Sequence, residues 1–199
     1  MLDRSNWIVL SITPKVGKQI LGKLKFKRNH TVLNFMSTIH NQELKKIIFP
    51  AKQIFKVAPL PMIKYNLGPI IIYQKNKTIE NFFNKLGKVI STSNENENKK
   101  LWVMTSFMAT YLEIFNTAHK WFVKKGINEN KSKEYINHLF KALNNELLKN
   151  SNYSMDKMVK EFQTKGGINA ELLMRTKKSG IFKNLNKGFD KIYNRVKKS

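Results

Sequence analysis

The sequence predicts an α/β domain built on a largely parallel sheet, followed by an all-helical domain. Two observations lead there. From Trp7 to Thr92, five short apolar runs rich in β-branched residues alternate with segments of helix length, and beyond Leu101 the apolar spacing is helical to the end. Strands separated by such segments require crossover connections, and crossovers make neighbouring strands parallel. The composition turns polar at residues 93–100, Ser-Asn-Glu-Asn-Glu-Asn-Lys-Lys, so the domains are expected at 1–95 and 96–199. The same polar stretch could instead cap the helix that follows.

Residues 7–12, Trp-Ile-Val-Leu-Ser-Ile, form the first run, a strand covered on both faces. Pro14 suits a first helical position, and Val16, Ile20, Leu21 and Leu24 repeat at helical spacing behind it. The second strand is expected at 31–36. A short helix from Asn41 to about Ile48 follows, with Asn41 as its N-cap. The third strand, 53–58, stops at Pro59-Leu60-Pro61, and a fourth runs over 69–73. A helix over 78–87, capped by Thr78 and closed by Gly87, leads to a fifth strand at 88–92.

From Leu101 to Lys125, large apolar groups wrap a single predicted helix nearly all round. Glu113, Asn116 and His119 lie near its middle and would be costly in lipid, so a helical core completed by another subunit is expected, with no membrane span. Helices are further expected at about 131–150, 155–163 and 170–178. In a last one from Ile181, the residues Phe182, Leu185, Phe189, Ile192 and Val196 form one stripe.

An apolar share of 41% is too high for a disordered chain, and the absence of cysteine excludes disulfides and thiolate metal sites. That composition fits a reducing, cytoplasmic setting. His30, His40, His119 and His138 show no metal-ligand spacing, so no metal is expected. The net charge of +24 would suit a polyanion partner, but the lysines are scattered and rise together with Asn and Ile, as A/T-rich codon usage produces. No RNP-like, zinc-finger or basic-zipper pattern accompanies them, so nucleic acid is not the expected partner.

Several pieces, in shared order, make the chain resemble the pyrroline-5-carboxylate reductase family. Ile12-Thr13-Pro14 matches the Val-Lys-Pro that ends an early strand of that family. Ala58-Pro59-Leu60-Pro61 matches its Met-Pro-Asn-Thr-Pro-like turn. Residues 82–87, closing in Leu86-Gly87, and the strand 88–90 match a later helix and strand. Thr164-Lys165-Gly166-Gly167-Ile168-Asn169 matches its Gly-Gly turn. The similarity runs from about Asn6 to Arg195.

This resemblance implies an incomplete Rossmann-type sheet followed by a helical substrate and dimerisation domain. It also implies an NAD(P)H-dependent oxidoreductase acting on C=N, reducing 1-pyrroline-5-carboxylate to proline. The partners would be NADPH or NADH, a small cyclic-imine carboxylate and a second copy bound through the C-terminal helices. Thr13, Pro14, Ala58, Pro59, Leu60 and Pro61 would face the cofactor. Thr105, Ser106 and Thr110 stand where the family's Ser-Gly-Ser-Gly-Pro-Ala loop acts at the reacting centre, and Thr164, Gly166 and Gly167 would approach the substrate.

The plainer readings stay open beside these. A helix hydroxyl can bond its own backbone, and a Gly-Gly pair can serve a turn that needs positive φ. The family's Gly-x-Gly-x-x-Gly/Ala turn has no counterpart among the nine glycines. The expectation is therefore an N-terminally truncated, impaired relative. Its alternatives are a non-catalytic dimerising relative, or a basic nucleic-acid or anionic-surface binder using the helix from Ile181 to Val196.

Overall fold

The five apolar runs become the five strands of one sheet in a computed structural model that describes residues 2–36 and 39–198. They are β1 (Trp7–Leu10), β2 (Thr31–Asn34), β3 (Gln53–Pro59), β4 (Pro69–Tyr73) and β5 (Lys88–Thr92), and they lie in chain order. The pairs β1–β2, β2–β3 and β4–β5 are parallel, whereas β3–β4 is antiparallel. Connection length explains the exception. A crossover needs about a dozen residues, and the stretch from Leu60 to Gly68 is too short for one. It turns back through a 3-10 helix, Pro61–Tyr65, with Asn66 at φ 57° and Gly68 at φ 90°.

Helices cover both faces. They are α1 (Pro14–Ile20), α2 (Asn41–Ile47) and α3 (Lys77–Phe83), with α4 (Glu95–Met104) after the last strand. Successive strand residues alternate between two cores. Ile8, Leu10, Val32 and Ile54 join Leu21, Leu44 and Ile48 on one side, while Leu33, Phe55, Ile70 and Ile72 join Ile79 and Phe83 on the other. That alternation is the pleat expressed as burial.

Several local expectations are corrected. Asn41 is the first residue of α2 rather than its cap, because its side chain is drawn into a buried hydrogen bond with Asn34. The cap of α3 is Asn76, not Thr78, since the Asn76 carboxamide accepts from the amides of Thr78 and Ile79. The polar stretch 93–100 caps and opens a helix, with Asn94 accepting from the amide of Glu97.

The single helix expected over 101–125 is broken. After Met104, both the amide and the hydroxyl of Thr105 turn back onto the carbonyl of Trp102, at 2.9 and 2.7 Å. The chain then restarts as α5 (Phe107–Lys124). A Thr side chain that bonds its own backbone competes with the helical ladder in this way.

Five helices complete the chain: α5, α6 (Glu129–Lys149), α7 (Met155–Glu161), α8 (Ile168–Lys178) and α9 (Ile181–Lys198). Two compact units result. One contains the residues up to Thr105 together with those from Lys191 onward, and the other is Ser106–Asp190. Within the second unit, α5 and α6 meet through a ring cluster of Tyr111, Phe115 and Phe140. No residue of α5 is buried, and Leu112 and Trp121 are 63% and 57% exposed. No helix among the described residues is long and apolar enough to cross a membrane.

Candidate functional site

Because Leu10, Asn34 and Lys56 stand in register across three parallel strands, β1, β2 and β3 send their chains out at one edge. Open α/β sheets take ligands at that carboxyl edge. Thr13 and Pro14 follow β1 there. Thr13 is the N-cap of α1, its hydroxyl oxygen accepting from the amide of Val16 at 3.4 Å, and Pro14 opens the helix. Ala58 and Pro59 end β3, with Ala58 buried, and Leu60 and Pro61 lead into the 3-10 turn. The two groups share one rim, separated by the exit of β2.

Beneath the rim lies a polar cluster that sequence spacing did not point to. The Asn34 side chain accepts from the amide of Met36 at 3.0 Å and donates to the carbonyl of Ile39 and the Asn41 oxygen, both at 3.2 Å. The Lys56 ammonium donates to the carbonyls of Met36 and Ile39, at 2.6 and 3.1 Å, and lies 5.3 Å from the centre of the Trp102 ring. His40 forms an ion-pair contact with Glu95. Burial pushes Lys56 down to about 8, against the opposing pull of the Glu95 carboxylate. The signal for this cluster was present in outline. Asn34 and Lys56 each interrupt an apolar strand, and a buried polar residue is more informative than any apolar neighbour.

The other predicted residues fall elsewhere. Thr105 closes α4, its hydroxyl donating to the carbonyl of Trp102. Ser106 and Thr110 are exposed at the start of the second unit. In that unit the Thr164 carbonyl accepts from the amide of Gly167 at 2.8 Å, and Gly166 takes φ 76°. A Cβ on Gly167 would stand 3.0 Å from the Thr164 carbonyl oxygen, so both glycines answer a backbone requirement of the turn.

What these residues offer a dinucleotide is one-sided. The rim provides an uncharged edge of prolines and small side chains, suited to a flat ring. The helix behind β1 opens with Pro14 and has seven residues, and no Gly-x-Gly-x-x-Gly occurs to let a pyrophosphate approach backbone amides. The phosphate half of such a cofactor therefore does not fit the residues present. Among the described residues, no group of three or more His, Asp or Glu could hold a metal ion.

No family model and no curated protein matches the sequence. Solved structures do match the fold. A 1-pyrroline-5-carboxylate reductase from Streptococcus pyogenes superposes with a TM-score of 0.88 at 18% identity, covering 100% of this chain and 78% of that one. The Plasmodium falciparum pyrroline carboxylate reductase, with NADP bound, gives 0.84 at 17% identity, covering 96% and 76%. A pyrroline-5-carboxylate reductase from Coxiella burnetii gives 0.80 at 14%, covering 98% and 76%. At these identities the likeness establishes a shared fold.

Proposed function

We propose that this chain is a divergent pyrroline-5-carboxylate reductase, belonging to NAD(P)H-dependent reduction of a C=N bond in a small cyclic-imine carboxylate. One observation carries the reading. The fold match spans both compact units, and it comes together with Thr13-Pro14, Ala58–Pro61 and Gly166-Gly167 in the family's order.

In such a reaction the protein aligns two reactants and holds a carboxylate, so neither a catalytic triad nor a metal is required. The rim residues Thr13, Pro14 and Ala58 to Pro61 would bound the ring end of the cofactor. Ser106 and Thr110 would offer hydroxyls to the substrate, Thr105 could contribute only as an acceptor because its proton goes to the Trp102 carbonyl, and the turn at Thr164, Gly166 and Gly167 would approach it through its backbone. The residues present do not cradle the phosphates of a dinucleotide. A cysteine-free chain of this kind suits the reducing cytoplasm.

Dimerisation through the helical unit belongs to the same proposal. An apolar groove of about 560 Å³ opens there, lined by Leu139, Leu143, Leu147, Met158, Val159 and Phe162. Apolar faces left open on α5 and α6 are what a second copy would cover.

The test is a steady-state assay of 1-pyrroline-5-carboxylate-dependent NADPH oxidation. It compares the 199-residue chain with a fusion in which a strand–Gly-x-Gly-x-x-Gly–helix segment precedes β1. The fusion is expected to turn over at least about 100-fold faster, the effect of about 3 kcal/mol of recovered binding. A fusion that binds NADPH yet never oxidises it would point to the non-catalytic relative instead.

A further inference from the structure

We propose that the sheet edge opposite the rim of Thr13-Pro14 and Ala58–Pro61 binds single-stranded nucleic acid, with one base lodged against Trp7 and the phosphates beside the flanking lysines. The site lies within the first compact unit and does not depend on the reductase reading.

Charge distribution is the first observation. Residues 4–79 carry fourteen Lys and Arg and a single acid, Glu43, whereas residues 106–190 carry fifteen and eight. Codon usage acts along the whole chain. It accounts for the lysines but not for the scarcity of carboxylates in the first stretch alone.

Geometry is the second. Trp7, Thr31 and Gln53 open β1, β2 and β3 in register, and β4 runs the other way, so the chain that leaves it returns to this edge. Asn76 and Thr78 from that returning chain join Trp7, Thr31 and Gln53 in lining a hollow of about 160 Å³. The Trp7 ring is half-buried and braced edge-on by Phe82, with ring centres 5.3 Å apart. The Thr31 hydroxyl donates to Gln53 Oε1 at 2.9 Å, and Asn76 Oδ1 accepts from the amides of Thr78 and Ile79. Both carboxamides thus have their oxygens engaged, and what they still offer is their NH2 groups. Exposed basic residues adjoin these positions in the chain. Arg4 and Arg28 stand shortly before Trp7 and Thr31, Lys52 precedes Gln53, and Lys75 and Lys77 flank Asn76. Neighbouring carboxylates are already engaged, Asp3 by Lys27 and Glu97 by the amide and hydroxyl of Ser93.

That combination selects the ligand. An aromatic face stacks on any base, amide donors meet the acceptors of a base edge, and lysines take phosphates. A lipid surface would need apolar side chains to insert. The apolar residues of the hollow, Phe55 and Ile79, are only 7% and 2% exposed. A duplex keeps its bases inside the stack, out of reach of the hollow. An acidic peptide would answer the charge and leave the ring and the amides unused.

Fluorescence anisotropy of a labelled oligothymidylate of about twelve bases, at about 0.15 M salt, tests this on the full chain. Trp7→Leu should weaken binding about 10-fold with its salt dependence unchanged. Lys75→Gln combined with Lys77→Gln should instead lower the slope of log affinity against log salt by about 1.4, the worth of two phosphates. Asn76→Asp keeps a residue able to cap α3 but sets a carboxylate where the amide donated, so it too should bind about 10-fold more weakly. It decides the matter should Trp7→Leu fail to fold. Wild-type affinity in Asn76→Asp and in a folded Trp7→Leu would overturn the proposal, since a charge of +24 would then account for the binding. Displacement by polyglutamate as effective as by unlabelled oligothymidylate would overturn it too, and so would a preference for duplex over single strand of equal length.

Discussion

Between pH 8 and pH 10.5 this protein is expected to gain stability through one residue, Lys56, by up to about 3 kcal/mol. Its folded value, about 8, lies below the value of 10.5 that it takes when unfolded. Across that window the unfolded chain binds more protons than the native one, so stability rises with pH. Below pH 8 both states carry the charge, and the full cost of burying an ammonium that is only 8% exposed is present. Urea unfolding at pH 7.5 and pH 10 should show the rise in wild type.

Lys56→Met should flatten that rise. The slope is the readout, because losing the donor to the Met36 and Ile39 carbonyls also lowers stability at every pH. Lys56→Arg keeps the donors and a charge that does not titrate, so it too should be flat. An equal slope in all three proteins would show that Lys56 titrates as an exposed lysine does.

The second large effect concerns association. Val159→Glu is expected to weaken self-association of the chain by at least about 100-fold, read by sedimentation velocity over a dilution series. Val159 lines the apolar groove of the helical unit and is 47% exposed in the single chain. A carboxylate there leaves the isolated fold within about 0.5 kcal/mol of wild type. In a face-to-face contact it would be buried without a partner, at a cost of several kcal/mol. Each copy carries a net charge of +24, so association of the wild type should also strengthen with salt as the repulsion is screened. A wild type that sediments as a monomer throughout, at low and high salt, would remove the dimer from the proposal.

How much of this was legible in the chain differs by level. The strands were readable as short apolar runs, which two-sided burial explains for β2, β3 and β4; the edge strands β1 and β5 are not covered on both faces as expected for the first run, and leave Val9 and Ile90 exposed. β1 to β5 fall where those runs stand, give or take the ends of β1, β2 and β3. The antiparallel step between β3 and β4 was readable in principle, from a connection too short to cross over. The break at Thr105 was not, because the apolar spacing continues through it and only a local hydrogen bond interrupts the ladder. Caps failed for a similar reason. Asn41 has the right chemistry at the right place, and a tertiary contact with Asn34 outcompetes the local one.

The candidate site divides the same way. Prolines that end strands announce a rim in sequence, and so Thr13, Pro14 and Ala58 to Pro61 could be placed. The polar cluster could not be assembled from spacing, since Asn34, Asn41, Lys56, Glu95 and Asn98 come from four separate elements. Only the two polar interruptions, Asn34 in β2 and Lys56 in β3, hinted that something buried would need satisfying.

Titration of NADPH, followed by its fluorescence, into the 199-residue chain and into the fusion bearing the glycine-rich segment tests the account at its centre. On the proposed reading the sheet rim would bound the ring end of a dinucleotide, while the residues present include no Gly-x-Gly-x-x-Gly turn for its phosphates. The chain alone should therefore show no saturation in the micromolar range, and the fusion should bind at least about 100-fold more tightly. Tight, saturable binding by the chain alone would contradict the one-sided site, and equally weak binding by the fusion would contradict the dinucleotide rim itself.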